Sequence, residues 1–168
     1  MKIQSKRIAS CGIITALGIV VMFLGTLLGI GMYFVPMLIG ASLTPLGKAW
    51  GKQYQILLWL AISLLSFLLI SSPEQNLMFF GLFGWYPIFR PVLQQFKKPL
   101  RLIAKFLLFN IVIIVLESLL ILFVPSEVLR TAMSVLLLAL GNVTFLVYDF
   151  AIPRFEFLAA KYFRFLFR

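Results

Sequence analysis

The chain has 168 residues, 62% of them hydrophobic, and carries a net charge of +10 from fifteen Lys and Arg against five acids. A soluble domain is nearer 45–50% apolar, so no soluble core hides this excess, and the composition predicts an integral membrane protein with mean hydropathy +1.09. With one cysteine, Cys11, and no histidine, an internal disulfide, a cysteine-rich or histidine-bound metal and a histidine-based triad are all excluded.

At roughly 20 residues per spanning helix, the length accommodates about six spans and no separate soluble domain. Neither an internal repeat nor a low-complexity linker interrupts the chain, so it reads as one all-α transmembrane domain, residues 1–168. Residues 1–153 are expected to form a six-helix bundle, and residues 154–168 an amphipathic tail.

The first predicted helix, Ile8–Ile30, follows the basic start MKIQSKR. It exceeds the roughly 7–15 apolar residues of a signal peptide core and lacks a small-x-small cleavage site, so it reads as a retained span. Its small residues recur at Gly12 and Ala16 and at Gly25 and Gly29, a spacing that lets a helix of this chain or of another subunit approach closely. Tyr33–Gly47 comes second and is short, with Pro36, Gly40, Pro45 and Gly47 inside it. Tyr54–Ile70 is the third span, and Asn76–Arg90, with Gly81, Gly84 and Pro87, is a second short one. Short, Gly/Pro-interrupted spans either tilt and pack tightly or mark a substrate cavity, and both readings stand.

Leu102–Val124 and Arg130–Phe150 complete the six. The fifth carries Glu117, and a charge within a span costs about 2.5–3.5 kcal/mol on insertion scales, so it is expected to face a cavity, a partner or an ion path. Asn110, seven residues earlier, shares that face. Asn142 lies at a similar depth on the sixth helix; the two amides either floor the same cavity or join the two helices by hydrogen bonds. Asp149, at the far end of the sixth helix, is expected to pair with Arg154 or a nearby lysine. Gln75 and Asn76 are expected in an external loop, where they either cap the site or simply reflect loop composition. Trp85 and Tyr86 either stack on a flat ligand or belong to the interfacial aromatic belt.

Charge sets the orientation. Lys2, Lys6 and Arg7; Lys48 and Lys52; Arg90, Lys97, Lys98, Arg101 and Lys105; and Arg154, Lys161, Arg164 and Arg168 all fall on one side of the six-span alternation. Only Arg130 falls on the other. By the positive-inside rule both termini are cytoplasmic. In the tail, Arg154, Lys161, Arg164 and Arg168 gather in one sector of a helix, which suits an interfacial helix with its cations on anionic lipid head groups. In this setting the basic charge predicts topology rather than a nucleic-acid partner.

The stretch VPMLIGASLTPLGKAWG carries a resemblance. Pro36 and Gly40, followed by Thr44-Pro45-Leu46-Gly47 and Gly51, resemble the second-helix and turn signature of S components, the substrate-binding membrane subunits of energy-coupling factor (ECF) transporters. Thr44 stands where that pattern has glycine. The resemblance implies capture of a vitamin or similar micronutrient on the outer side of a bacterial cytoplasmic membrane. It implies partners as well, a transmembrane coupling subunit and two cytoplasmic ATPases, docked through small residues that match Gly12 and Ala16 here. The chain itself has no phosphate-cradling Gly-x-x-x-x-Gly-Lys-Ser/Thr motif, so neither enzymatic activity nor a cofactor is expected. Glu117, Asn110, Asn142, Asn76 and Gln75 are the expected substrate-binding residues. The alternative is a structural membrane scaffold in cell-shape or envelope assembly, resembling the rod-shape protein of the MreD type. An intramembrane enzyme would need a second acidic residue facing Glu117.

Overall fold

A computed structural model of the chain describes residues 2–29, 33–123 and 135–162, and every regular element among them is helical. The elements are α1 (Lys2–Leu27), α2 (Phe34–Trp50), α3 (Lys52–Leu69), α4 (Pro73–Met78), α5 (Tyr86–Leu93), α6 (Lys98–Phe123) and α7 (Val135–Tyr162). A π turn, Phe79–Phe83, joins α4 towards α5.

In α1, Cys11, Thr15, Gly18, Met22 and Gly25 are buried. Their alternating spacing of four and three residues makes one narrow seam, and this seam packs on α3 and α2. Opposite it, Ile13, Leu17, Val20 and Leu24 are exposed. Gly12 and Ala16 belong to this outward face, and a Cβ added at Gly12 would meet nothing within 4 Å. Among the inward small residues is Gly18, where an added Cβ would sit 3.1 Å from Ile62.

The short α2 is the centre of the molecule. It touches α1, α3, α4, α5, α7 and the π turn, and it buries Val35, Ile39, Gly40, Ala41, Leu43, Thr44 and Leu46. Its length therefore reflects enclosure by other helices rather than exposure to lipid. Lipid supplies no hydrophobic drive for helix association, so close van der Waals fit has to provide it. Gly40 shows how tight that fit is: a Cβ there would collide with the Phe83 carbonyl and the Tyr148 hydroxyl. The helix passes Pro45 and the expected end at Gly47, and runs on to Trp50. Gly51, at φ +107°, then reverses the chain into α3, a conformation that costs glycine little.

The fourth predicted span is broken into α4, the π turn and α5. A π turn leaves carbonyls without their usual i+4 donors, and in lipid such groups need other partners. Side chains supply them here. Trp59 Nε1 donates to the Phe80 carbonyl (3.2 Å), Tyr148 Oη to the Phe83 carbonyl (2.6 Å), and Trp85 Nε1 to the Gly81 carbonyl.

The sixth predicted helix was expected to end at Phe150, before a separate interfacial tail. Instead α7 runs without a break through Pro153 to Tyr162; residues 130–134 of the expected helix and 163–168 of the expected tail lie outside the described residues. Proline removes the N–H that would bond to the carbonyl four residues earlier, here Asp149. Arg90 Nη2 donates to that carbonyl instead (3.3 Å). Farther along, Glu156 accepts from Lys48 Nζ (2.5 Å) and ties the extension to α2.

Gln4–Leu27, Lys52–Leu69 and Lys98–Leu120 are long and apolar enough to cross a membrane. Only 17–28% of their most apolar stretches is buried within the protein. Large side chains such as Leu17, Leu64, Leu68, Ile103 and Leu107 point outward, 59–80% exposed. An apolar outer surface on this scale needs lipid against it, and the chain is an all-helical membrane protein.

Candidate functional site

Contacts between distant parts of the chain define two ends. One gathers Thr26 with Gln75, and Tyr33 with Glu74 and Glu117. The other gathers Lys48 with Glu156, Arg7 with Tyr54, and Arg90 and Lys105 with Asp149.

At the first end, Glu117 on α6 is partly buried and has no hydrogen bond or ion pair among the described residues. Glu74, in the first turn of α4, lies within electrostatic reach of it, and the Tyr33 phenol lies within reach of both. Close packing sets this arrangement. An added Cβ at Gly81 would collide with Leu116, so the glycine lets the π turn settle on α6 one residue before Glu117. The result is a small electronegative patch, in which two carboxylates repel each other with no cation between them among the described residues; Arg130, expected at this end, lies outside those residues. Such a patch suits a ligand ammonium or a set of hydroxyl donors.

Gln75 and Asn76 are not in a loop. Pro73 opens α4 in the proline-favoured first turn, and both side chains point inward, 1% and 2% exposed. Gln75 is fully engaged with α1: its Nε2 donates to the Met22 carbonyl (3.0 Å), and its Oε1 accepts from Thr26 Oγ1 (2.7 Å). Asn76 Nδ2 donates to the Ile70 carbonyl (2.9 Å), while its buried Oδ1 has no partner among the described residues. Asn110 and Asn142 close on each other. Nδ2 of each donates to Oδ1 of the other, at 3.0 and 3.1 Å, and Asn110 Nδ2 also bonds to the Phe106 carbonyl. This amide pair joins α6 to α7. Glu117 is thus the one expected site residue that combines partial exposure with an unengaged acceptor at this end.

The second end holds a polar cluster that the sequence showed only in pieces. Asp149 accepts from Arg90 Nε (2.8 Å), Lys105 Nζ (2.5 Å) and Tyr86 Oη (2.7 Å). The charged side chains are only 10–19% exposed. The expected lysine partner is Lys105, but Arg154 is elsewhere, its guanidinium 4.3 Å from the centre of the Phe150 ring. Tyr86 is neither belt nor ligand platform. Fully buried, it packs edge-on against Phe145 and lends Asp149 its hydroxyl. Trp85 packs on Phe89.

Sequence reasoning missed Glu74 and Tyr33 as neighbours of Glu117, although the predicted alternation of spans already put all three at one end. It also missed Tyr148, whose donor role depends on a π turn that hydropathy does not reveal. No family model, curated protein or solved structure matches the chain.

Proposed function

We propose that the chain is the substrate-binding subunit of an ECF-type importer, crossing a bacterial cytoplasmic membrane six times with both termini inside. It captures a small solute, a vitamin or similar micronutrient, at the end that holds Glu117 and Glu74. The observation that carries this reading is Glu117 itself. It is a carboxylate on a helix fit to cross a membrane, and the charge it faces among the described residues is another carboxylate. A fold rarely leaves such a group without a partner unless a ligand supplies one. The reading narrows the solute to one bearing a cation or several hydroxyls.

Two further features support it. The stretch from α4 to α5, with its π turn, Gly81, Gly84 and Pro87, is a Gly/Pro-interrupted segment of the kind that marks transporter sites. Gly12 and Ala16 face outward and are open to a coupling subunit. ATP hydrolysis then belongs to two partner ATPases, which drive a movement of the whole subunit.

The engagement of Gln75, Asn110 and Asn142 in helix packing favours the second reading, a structural scaffold in envelope or cell-shape assembly. Affinity purification in mild detergent, with mass spectrometry of the proteins that come along, separates the two. Recovery of a membrane coupling subunit and two ATPases is the expected result. Recovery of envelope-assembly proteins in their place would overturn the transport reading.

A further inference from the structure

A groove of about 420 Å³ runs along α6, lined by Leu102, Phe106, Asn110 and Ile114 on one side and Ile103, Leu107 and Ile111 on the other. Each set repeats every four residues, so the groove is the furrow between two adjacent side-chain ridges of a single helix. Leu102, Ile103, Leu107, Ile111 and Ile114 are 49–62% exposed. Asn110 adds no free polarity, because its amide is closed on Asn142 and the Phe106 carbonyl.

Charge lies at one mouth of this groove. Lys98 is the preceding member of the ridge that continues as Leu102, Phe106, Asn110 and Ile114, and Lys97 and Arg101 flank it. None of the three makes an ion pair among the described residues, and the first turn of α6 contains no acid. They differ in this from Arg90 and Lys105, which Asp149 holds. From Leu102 to Ile114 the helix rises about 18 Å, close to the roughly 15 Å of hydrocarbon in one leaflet. A ligand matching the groove is therefore anionic at one end and apolar for one leaflet's depth. A second copy of the chain fits poorly: a two-fold axis along the membrane normal would bring Lys98 and Arg101 towards their own counterparts.

We propose that this face of α6 holds one anionic phospholipid from the leaflet on the basic side, its phosphate on Lys98 with Lys97 and Arg101 beside it and one acyl chain along the groove. The assignment is independent of the transport reading, because it uses neither Glu117 nor the outer end.

The test uses the full chain, stripped of lipid in detergent and titrated with phosphatidylglycerol, with phosphatidylcholine and with inorganic phosphate, bound species being counted by native mass spectrometry. One phosphatidylglycerol per chain is expected at concentrations where phosphatidylcholine does not bind. Replacing Lys97, Lys98 and Arg101 together by Gln weakens phosphatidylglycerol on the order of a hundredfold, roughly fivefold per cation. Leu107→Trp fills the groove at an exposed position, keeps the charges, and displaces the lipid as well. Equal binding of the two lipids would overturn the proposal. So would undiminished phosphatidylglycerol binding in Leu107→Trp, or inorganic phosphate competing it away completely, which would leave a free-anion site. A dimer sealed through α6 would overturn it too.

Discussion

Asp149→Asn is the sharpest test of how the basic end is held together. The substitution keeps the side-chain shape and removes the charge on which Arg90, Lys105 and Tyr86 converge. It leaves two cations facing each other with side-chain exposures of only 13% and 10%. Breaking a fully buried ion pair by removing one partner costs about 3–5 kcal/mol, because the remaining charge stays desolvated. The groups here keep some access to solvent, so the expected loss is about 2–4 kcal/mol. The backbone adds nothing to it, since Arg90 still reaches the Asp149 carbonyl that Pro153 leaves unbonded. Lys105→Met alone removes one charged hydrogen bond and is expected to cost about 1–2 kcal/mol. Combined with Asp149→Asn, it removes the stranded cation and returns part of the loss, so the two effects are less than additive. Equilibrium unfolding by sodium dodecyl sulfate in mixed micelles, followed by circular dichroism, measures all three variants. An Asp149→Asn protein within about 0.5 kcal/mol of wild type would refute the reasoning, as would simple additivity in the double variant.

Other substitutions probe the remaining contacts. Gly40→Ala places a Cβ against the Phe83 backbone, which cannot swing aside as a side chain can, and a loss of about 1–3 kcal/mol or more is expected in the same unfolding assay. Asn110→Leu leaves Asn142 without its reciprocal amide partner and should cost about 1 kcal/mol, near the middle of measured membrane hydrogen-bond contributions; unaltered unfolding would show that the amide pair contributes nothing. Glu117→Gln is expected to reduce uptake of a cationic or hydroxylated solute, or its binding to purified protein, at least tenfold while leaving the unfolding midpoint in place. Unchanged uptake and binding would remove Glu117 from the site.

The membrane class, the helical content and the positions of most helix ends follow from hydropathy and from Pro and Gly punctuation, because lipid forces the backbone to satisfy its own hydrogen bonds within each helix. Glu117 was legible for a similar reason: a carboxylate in an apolar run is costly wherever the helix packs. Local pattern could not say which faces meet. The stripe Gly12–Ala16 and the seam Cys11–Thr15–Gly18–Met22–Gly25 are both small-residue patterns on α1, yet only the seam is buried. Periodicity gives the same weight to both. The fate of Asn110 and Asn142, the burial of Tyr86 and Gln75, and the convergence of Arg90 and Lys105 on Asp149 depend on contacts between residues 32 to 63 positions apart. The passage of α7 through Pro153 depends on such a contact as well, because the freed carbonyl is satisfied from another helix. Composition and spacing act along one helix at a time and so determined that the chain lies in a membrane and, apart from the π turn and the run of α7 past Phe150, where its helices lie. Partner choice is made between helices, by shape and unpaired polarity, and only the tertiary structure decided which polar groups are spent on packing and which, among the described residues, stay unengaged at the end that holds Glu117.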